Sequence, residues 1–171
     1  MNSNTAYTAS IGVLAVVDTY LTATLIRVPV WVTFIAWASF FILGAGNKGL
    51  IRSVACNLTG VLISSATLLV ASSTAGTALL VAILVGIGSA AMVQASRISL
   101  LSTLPAIVWG FASTVGTTVA TGKPIGTLGL ANPALVAATA LVLGGLFGYV
   151  SEWLATLLTS KSAALADKQP A

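Results

Sequence analysis

Long apolar stretches alternate along the chain with short polar or glycine-rich breaks, and the apolar runs at residues 6–26, 30–43, 50–70, 77–95, 97–121 and 132–158 predict six helices. The run at 97–121 carries no charge after Arg97 and is long enough to cross a bilayer. At helical spacing Ser99, Thr103, Ala106, Gly110, Ser113 and Thr117 share one small, weakly polar face. Leu100, Leu104, Ile107, Val108, Phe111 and Val115 form the apolar remainder. Pro105 removes a backbone N–H and crowds the preceding turn, which predicts a kink a third of the way along this helix. The run at 50–70 repeats the same spacing with Ser53, Asn57, Gly60, Ser64 and Thr67, so the third and fifth helices present matching seams.

The breaks have recognisable chemistry. Arg27-Val28-Pro29 ends the first helix, and Trp31 beside it reads as an anchor at the membrane interface. The second run is short for a span of about 20 residues, and Trp31, Phe34, Trp37, Phe40 and Phe41 make it the bulkiest. Gly44-Ala45-Gly46-Asn47-Lys48-Gly49 has the spacing of a dinucleotide fingerprint, but it follows an aromatic membrane helix and not the strand of a βαβ unit. Residues 72–76 form a turn, and Gly122 to Leu130 a flexible, partly apolar loop that either lies on the surface or dips inward. Asn132-Pro133 reads as an N-cap with proline in the first turn. Ala140, Gly144, Gly148 and Glu152 recur every four residues on the sixth helix, a pattern that lets helices approach closely.

Composition makes this an integral membrane protein. Of 171 residues 57% are hydrophobic and 6% charged, with a mean hydropathy of +1.06. A soluble globule of that composition lacks the polar surface to cover itself. Runs of this length and weak alternation exclude a barrel and leave an all-α, polytopic bundle of six transmembrane helices. The expected organisation is a single transmembrane domain over residues 1–158 and a polar cytoplasmic tail at 159–171. The net charge of +4 does not signal nucleic acid here, because the basic residues sit singly at the ends of apolar runs. Lys48, Arg52, Arg97, Lys161 and Lys168 fall on the side of the amino terminus and Arg27 and Lys123 opposite, a bias that predicts both termini in the cytoplasm. The amino terminus lacks the basic leader of a cleavable signal, so the first helix is expected to be retained.

Pro29 to Gly49, with Trp37-Ala38-Ser39, echoes Pro105 to Lys123, with Phe111-Ala112-Ser113. Helices two and five would then correspond in an inverted 3+3 repeat. The matching seams of helices three and five compete with that reading, since they point to a parallel relation. The Gly-Asn-Lys-Gly-Leu turn, Gln94-Ala95 leading into Ser99-Leu100-Leu101-Ser102-Thr103-Leu104-Pro105, and Gly144-Gly145-Leu146-Phe147-Gly148-Tyr149 resemble the YcdZ-like bacterial inner-membrane proteins, a domain of unknown function. The resemblance runs from about Gly12 to Tyr149. It implies a six-helix domain in the bacterial inner membrane and no activity.

No histidine and a single cysteine, Cys56, leave no metal or cofactor site, and no hydroxyl has an ordered base beside it, so an enzyme is not expected. Asn57-Leu58-Thr59 is a glycosylation sequon inside a span, where no transferase reaches it. Asp18 and Glu152 are the acids within spans. Each is either a titrating site or a structural clamp, Glu152 to Arg97, Arg52 or Lys161 and Asp18 to Thr22 or another helix. Ser53, Asn57, Ser64, Thr103 and Ser113 are the candidate lining of a polar path, with Trp109 narrowing it. The alternative is that these groups bond helix to helix.

The function expected from this is a homo-oligomeric channel or facilitator for a small uncharged or weakly polar solute of the urea, amide or ammonia class, its protomers touching through the glycine face of helix six. The alternatives are a proton-coupled transporter using Asp18 or Glu152, and a non-transporting membrane subunit that binds a partner protein.

Overall fold

The structure, a computed structural model, describes residues 1–74 and 77–166, with side chains as far as Ser160. The described residues are all-helical: α1 (Ser3–Thr24), α2 (Val30–Ile42), α3 (Gly46–Ser73), α4 (Ala78–Ala95), a 3-10 turn (Ser99–Leu101), α5 (Leu104–Thr121) and α6 (Pro133–Ala166). Five helices are long and apolar enough to cross a membrane, and α2, at 13 residues, is the shorter sixth. At 1.5 Å per residue α2 reaches about 20 Å, short of a hydrocarbon core of about 30 Å.

Three boundaries differ from the sequence reading. The fifth helix is not one kinked rod from Arg97. It is broken, because α4 ends at Ala95, a 3-10 turn intervenes, and Pro105 falls in the first turn of α5, where its missing N–H costs nothing. Ser99 and Thr103 therefore leave the seam they were expected to share with Ser113. The glycine-rich break is mostly helix as well, since α3 begins at Gly46. Finally, α6 continues past residue 158 to Ala166, so the first part of the expected tail is helical, and residues 167–171, like Ala75 and Gly76 of the expected turn, lie outside the described residues.

Helices α2, α3, α5 and α6 form the centre, with α1 laid against α6 and α4 against α3. The tightest crossings rest on glycine. A methyl group on Gly60 would lie 2.5 Å from the Phe111 backbone nitrogen and 2.9 Å from the Gly110 carbonyl carbon, and one on Gly110 would lie 2.7 Å from the Asn57 carbonyl carbon. The α3 and α5 backbones are thus in contact. Gly144 does the same for α6 against Thr33 of α2, and Gly148 against the Phe40 ring. The glycine face of helix six, expected between protomers, is consequently occupied inside the chain.

The packing plan has an internal regularity. Exchanging α1, α2 and α3 for α4, α5 and α6 turns α2–α6 into α5–α3, α1–α6 into α4–α3, α2–α3 into α5–α6 and α1–α2 into α4–α5, and each of these pairs is packed. At the Gly144 and Gly60 crossings the same exchange also matches residue for residue. Gly144 meets the Thr33 backbone while Gly60 meets that of Ile107, and Trp37 bonds Ser151 while a methyl at Gly88 would touch both Phe111 and Thr67. Thr33 to Ile107 and Trp37 to Phe111 are both steps of 74 residues, and Gly60 to Gly144 and Thr67 to Ser151 are both steps of 84.

Arg27 closes the α1–α2 turn with φ +54°, a left-handed conformation that costs a non-glycine residue about 1 kcal/mol. At the other end of α2, Gly44 and Ala45 turn the chain with φ +99° and +54°.

Candidate functional site

In a membrane helix the default for a serine or threonine hydroxyl is to donate to the carbonyl three or four residues back. Ser64 does so to Val61 at 3.0 Å, and Thr114 to Gly110 at 3.0 Å. The informative hydroxyls and amides are those that do not.

Asn57 and Ser53, one turn apart on α3, meet Ser39 of α2 in a fully buried triad. Ser53 Oγ donates to Ser39 Oγ at 2.8 Å, and Asn57 Nδ2 lies 3.3 Å from both serine oxygens. Asn57 Oδ1 has no partner among the described residues. On α5, Ser113 and Thr117 are fully buried on one face and neither hydroxyl has a partner among the described residues. Unpartnered polar groups at such depth are expensive.

Asp18 is fully buried on α1. Its carboxyl oxygen Oδ2 bonds the Thr33 hydroxyl on α2, while Oδ1 has no partner among the described residues. Thr22 donates to the Asp18 backbone oxygen at 2.7 Å and not to the carboxylate. Thr33 Oγ1 also lies 2.7 Å from the Val30 carbonyl, so its one proton stands between two acceptors.

Glu152 has a different role. The residue preceding α3, Ala45, offers no side-chain cap, and Glu152 Oε2 takes its place by accepting from Gly46 N at 2.7 Å. A carboxylate there satisfies an orphan donor and faces the positive end of the helix dipole. The clamp is therefore to a backbone N–H, not to Arg97 or Arg52; the Lys161 side chain lies outside the described side chains. Arg52 instead reaches Ser102 Oγ at 2.8 Å and Thr103 Oγ1 at 3.4 Å, holding the break before α5.

Of the six expected lining residues, the structure joins Ser53 and Asn57. Ser64 is satisfied within its own helix, Thr103 stands at the Arg52 end, and Trp109 is half-buried against the apolar cluster around Ile107 and Phe111. Contact between the α3 and α5 backbones leaves no passage between those two helices at the level of Gly60. Ser39 completes the triad with Ser53 and Asn57, and Thr33 on α2 and Thr117 on α5 are further fully buried polar residues. Ser39 and Thr33 are the polar residues of an otherwise apolar and aromatic α2, and that isolation is the signal in the sequence.

The model of DUF1097, proteins of unknown function, matches residues 8–156, from the second turn of α1 to beyond Glu152 on α6. The chain belongs to the DUF1097 family. No curated protein and no solved structure matches it. The matched stretch of this DUF1097 member takes in the whole polar centre, from Asp18 through Thr117, and the Glu152 clamp. Among the described residues, no three His, Cys, Asp or Glu side chains group as metal ligands.

Proposed function

We propose that this DUF1097 protein moves a small uncharged or weakly polar solute of the urea, amide or ammonia class across a bacterial inner membrane. In this reading it is YcdZ-like, α2 completes a sixth crossing, and both termini face the cytoplasm. The halves α1–α3 and α4–α6 act as an inverted repeat, rocking so that the polar centre opens to one side at a time and no standing bore is needed. The observation that carries the reading is the packing plan, which is preserved when the two halves are exchanged. Short or proline-interrupted segments in corresponding positions mark a solute site in such folds, and α2, short and led by Pro29, corresponds to α5, of full length but opened by Pro105. The solute would exchange hydrogen bonds with Asn57 Oδ1, Ser113 and Thr117. Any homo-oligomer would form through lipid-facing surfaces, because the α6 glycines are used internally.

A second reading has its own observation. One Thr33 proton cannot serve both Asp18 and the Val30 carbonyl, and a proton on Asp18 would complete the chain Asp18 to Thr33 to Val30. Coupling of solute to protons through Asp18 follows if that proton comes and goes.

Liposomes containing the purified protein, assayed for swelling with urea, acetamide, glycerol and ammonia, test both readings. Entry of one solute, lost in Asn57→Leu, supports the facilitator. Dependence on a pH gradient, lost in Asp18→Asn, selects the coupled form. No flux above empty liposomes from folded protein sinks both and leaves the partner-binding subunit.

A further inference from the structure

At the end of the bundle remote from Glu152, an open cavity of about 690 Å³ lies between the α1–α2 turn, the end of α5 and the start of α6. Its walls carry Arg27 and Lys123. These are the two cations that the charge bias places on the minority side, where topology does not call for them. Both described carboxylates are engaged elsewhere, Asp18 with Thr33 and Glu152 with Gly46, so neither cation has an acidic partner among the described residues. Arg27 is held in a left-handed backbone conformation at the cavity wall, and strain of this kind collects at ligand clamps.

The surroundings say what kind of anion fits. Leu128 and Leu130, on the loop after Lys123, are 93% and 92% exposed, and Leu130 is itself part of the wall. The loop is not slack, since Asn132 Nδ2 donates to the carbonyls of Ile125 at 2.8 Å and Thr127 at 2.7 Å, and Ile125 is buried beneath it. A fixed loop that presents two bare leucines beside two unpaired cations suits a ligand with a charged head and an apolar tail. A free phosphate has no use for the leucines, and the uncharged solute proposed above has none for the cations.

We propose that this cavity binds the phosphate headgroup of an anionic membrane lipid, with Arg27 and Lys123 on the phosphate and Leu128 and Leu130 against the acyl chains. Basic pockets between helices recognise lipid heads in this way.

The test is calorimetric titration of the full chain in neutral detergent with dihexanoyl phosphatidylglycerol, dihexanoyl phosphatidylcholine and inorganic phosphate. Saturable binding of the phosphatidylglycerol is expected, about fivefold weaker in Arg27→Gln and in Lys123→Gln and unchanged in Lys48→Gln at the opposite end. Lys123 is exposed on a loop, so its variant reads binding even if the Arg27 variant folds poorly. Equal binding of phosphatidylcholine, or indifference to both substitutions, overturns the proposal. Inorganic phosphate binding as tightly as the lipid overturns it too, in favour of a free anion. None of these results depends on solute flux.

Discussion

Gly60→Ala is the sharpest test of the central crossing. The added methyl would lie 2.5 to 2.9 Å from backbone atoms of Phe111 and Gly110, where carbon contacts normally fall at about 3.5–4.0 Å. No rotamer relieves a clash between a Cβ and a main chain, so α3 and α5 must part by about 1 Å. Opening a gap of that size forfeits a quarter to a half of each contact well, and with roughly 40–60 atom pairs of about 0.1–0.2 kcal/mol each, the loss is about 1–6 kcal/mol. Gly86→Ala supplies the contrast. Nothing lies within 4 Å of the site, so alanine gains up to about 1 kcal/mol of helix propensity. Thermal unfolding in one detergent, followed by tryptophan fluorescence, should move in opposite directions for the two variants. Adding Gly110→Ala to Gly60→Ala should cost clearly less than Gly110→Ala alone, because the helices have already separated. A Gly60→Ala protein within about 0.5 kcal/mol of wild type would refute the crossing.

Glu152→Gln keeps the acceptor but loses its charge, and should destabilise by about 1 kcal/mol in detergent, with the difference shrinking as salt is added. Trp37→Phe keeps the stacking on Phe147 but removes the 3.0 Å bond to Ser151, a loss of about 1 kcal/mol by the same thermal assay. On a Cys56→Ser background, Ser113→Cys and Thr117→Cys should react with a small water-soluble thiol reagent faster when solute is cycling than at rest. Equal rates would count against a polar centre that opens.

The long helices are legible because composition and length decide them, and α1 to α4 fall within a few residues of the expected runs while α5 starts later and α6 ends later. The misread boundaries share a cause. Pro105 begins a helix or bends one depending on what precedes it, and Ile98, Leu100 and Leu101 extend the apolar run backwards and hide the break that Arg52 holds from another helix. Asn57 and Ser53 could be found from spacing because both lie on one face of one helix. Their partner Ser39 could not, since only the α2–α3 packing brings it to them, and Glu152 acts on an N–H 106 residues away. The glycines of α6 serve close approach, as their spacing implies. Spacing does not say whether the approaching helix is the chain's own.

The pairing of α2 with α6 also orders events at the ribosome. α2 is too short to be held well by lipid alone, and its principal partner, α6, is the last of the described helices. At about 5–20 residues per second, Gly144 is synthesised roughly 6–20 s after Thr33. For that interval α2 has neither its glycine groove nor the Ser151 hydroxyl for Trp37. A nascent chain arrested before α6 should therefore keep α2 open to proteases and to the insertion machinery, and completion of the last helix is the step that commits the bundle.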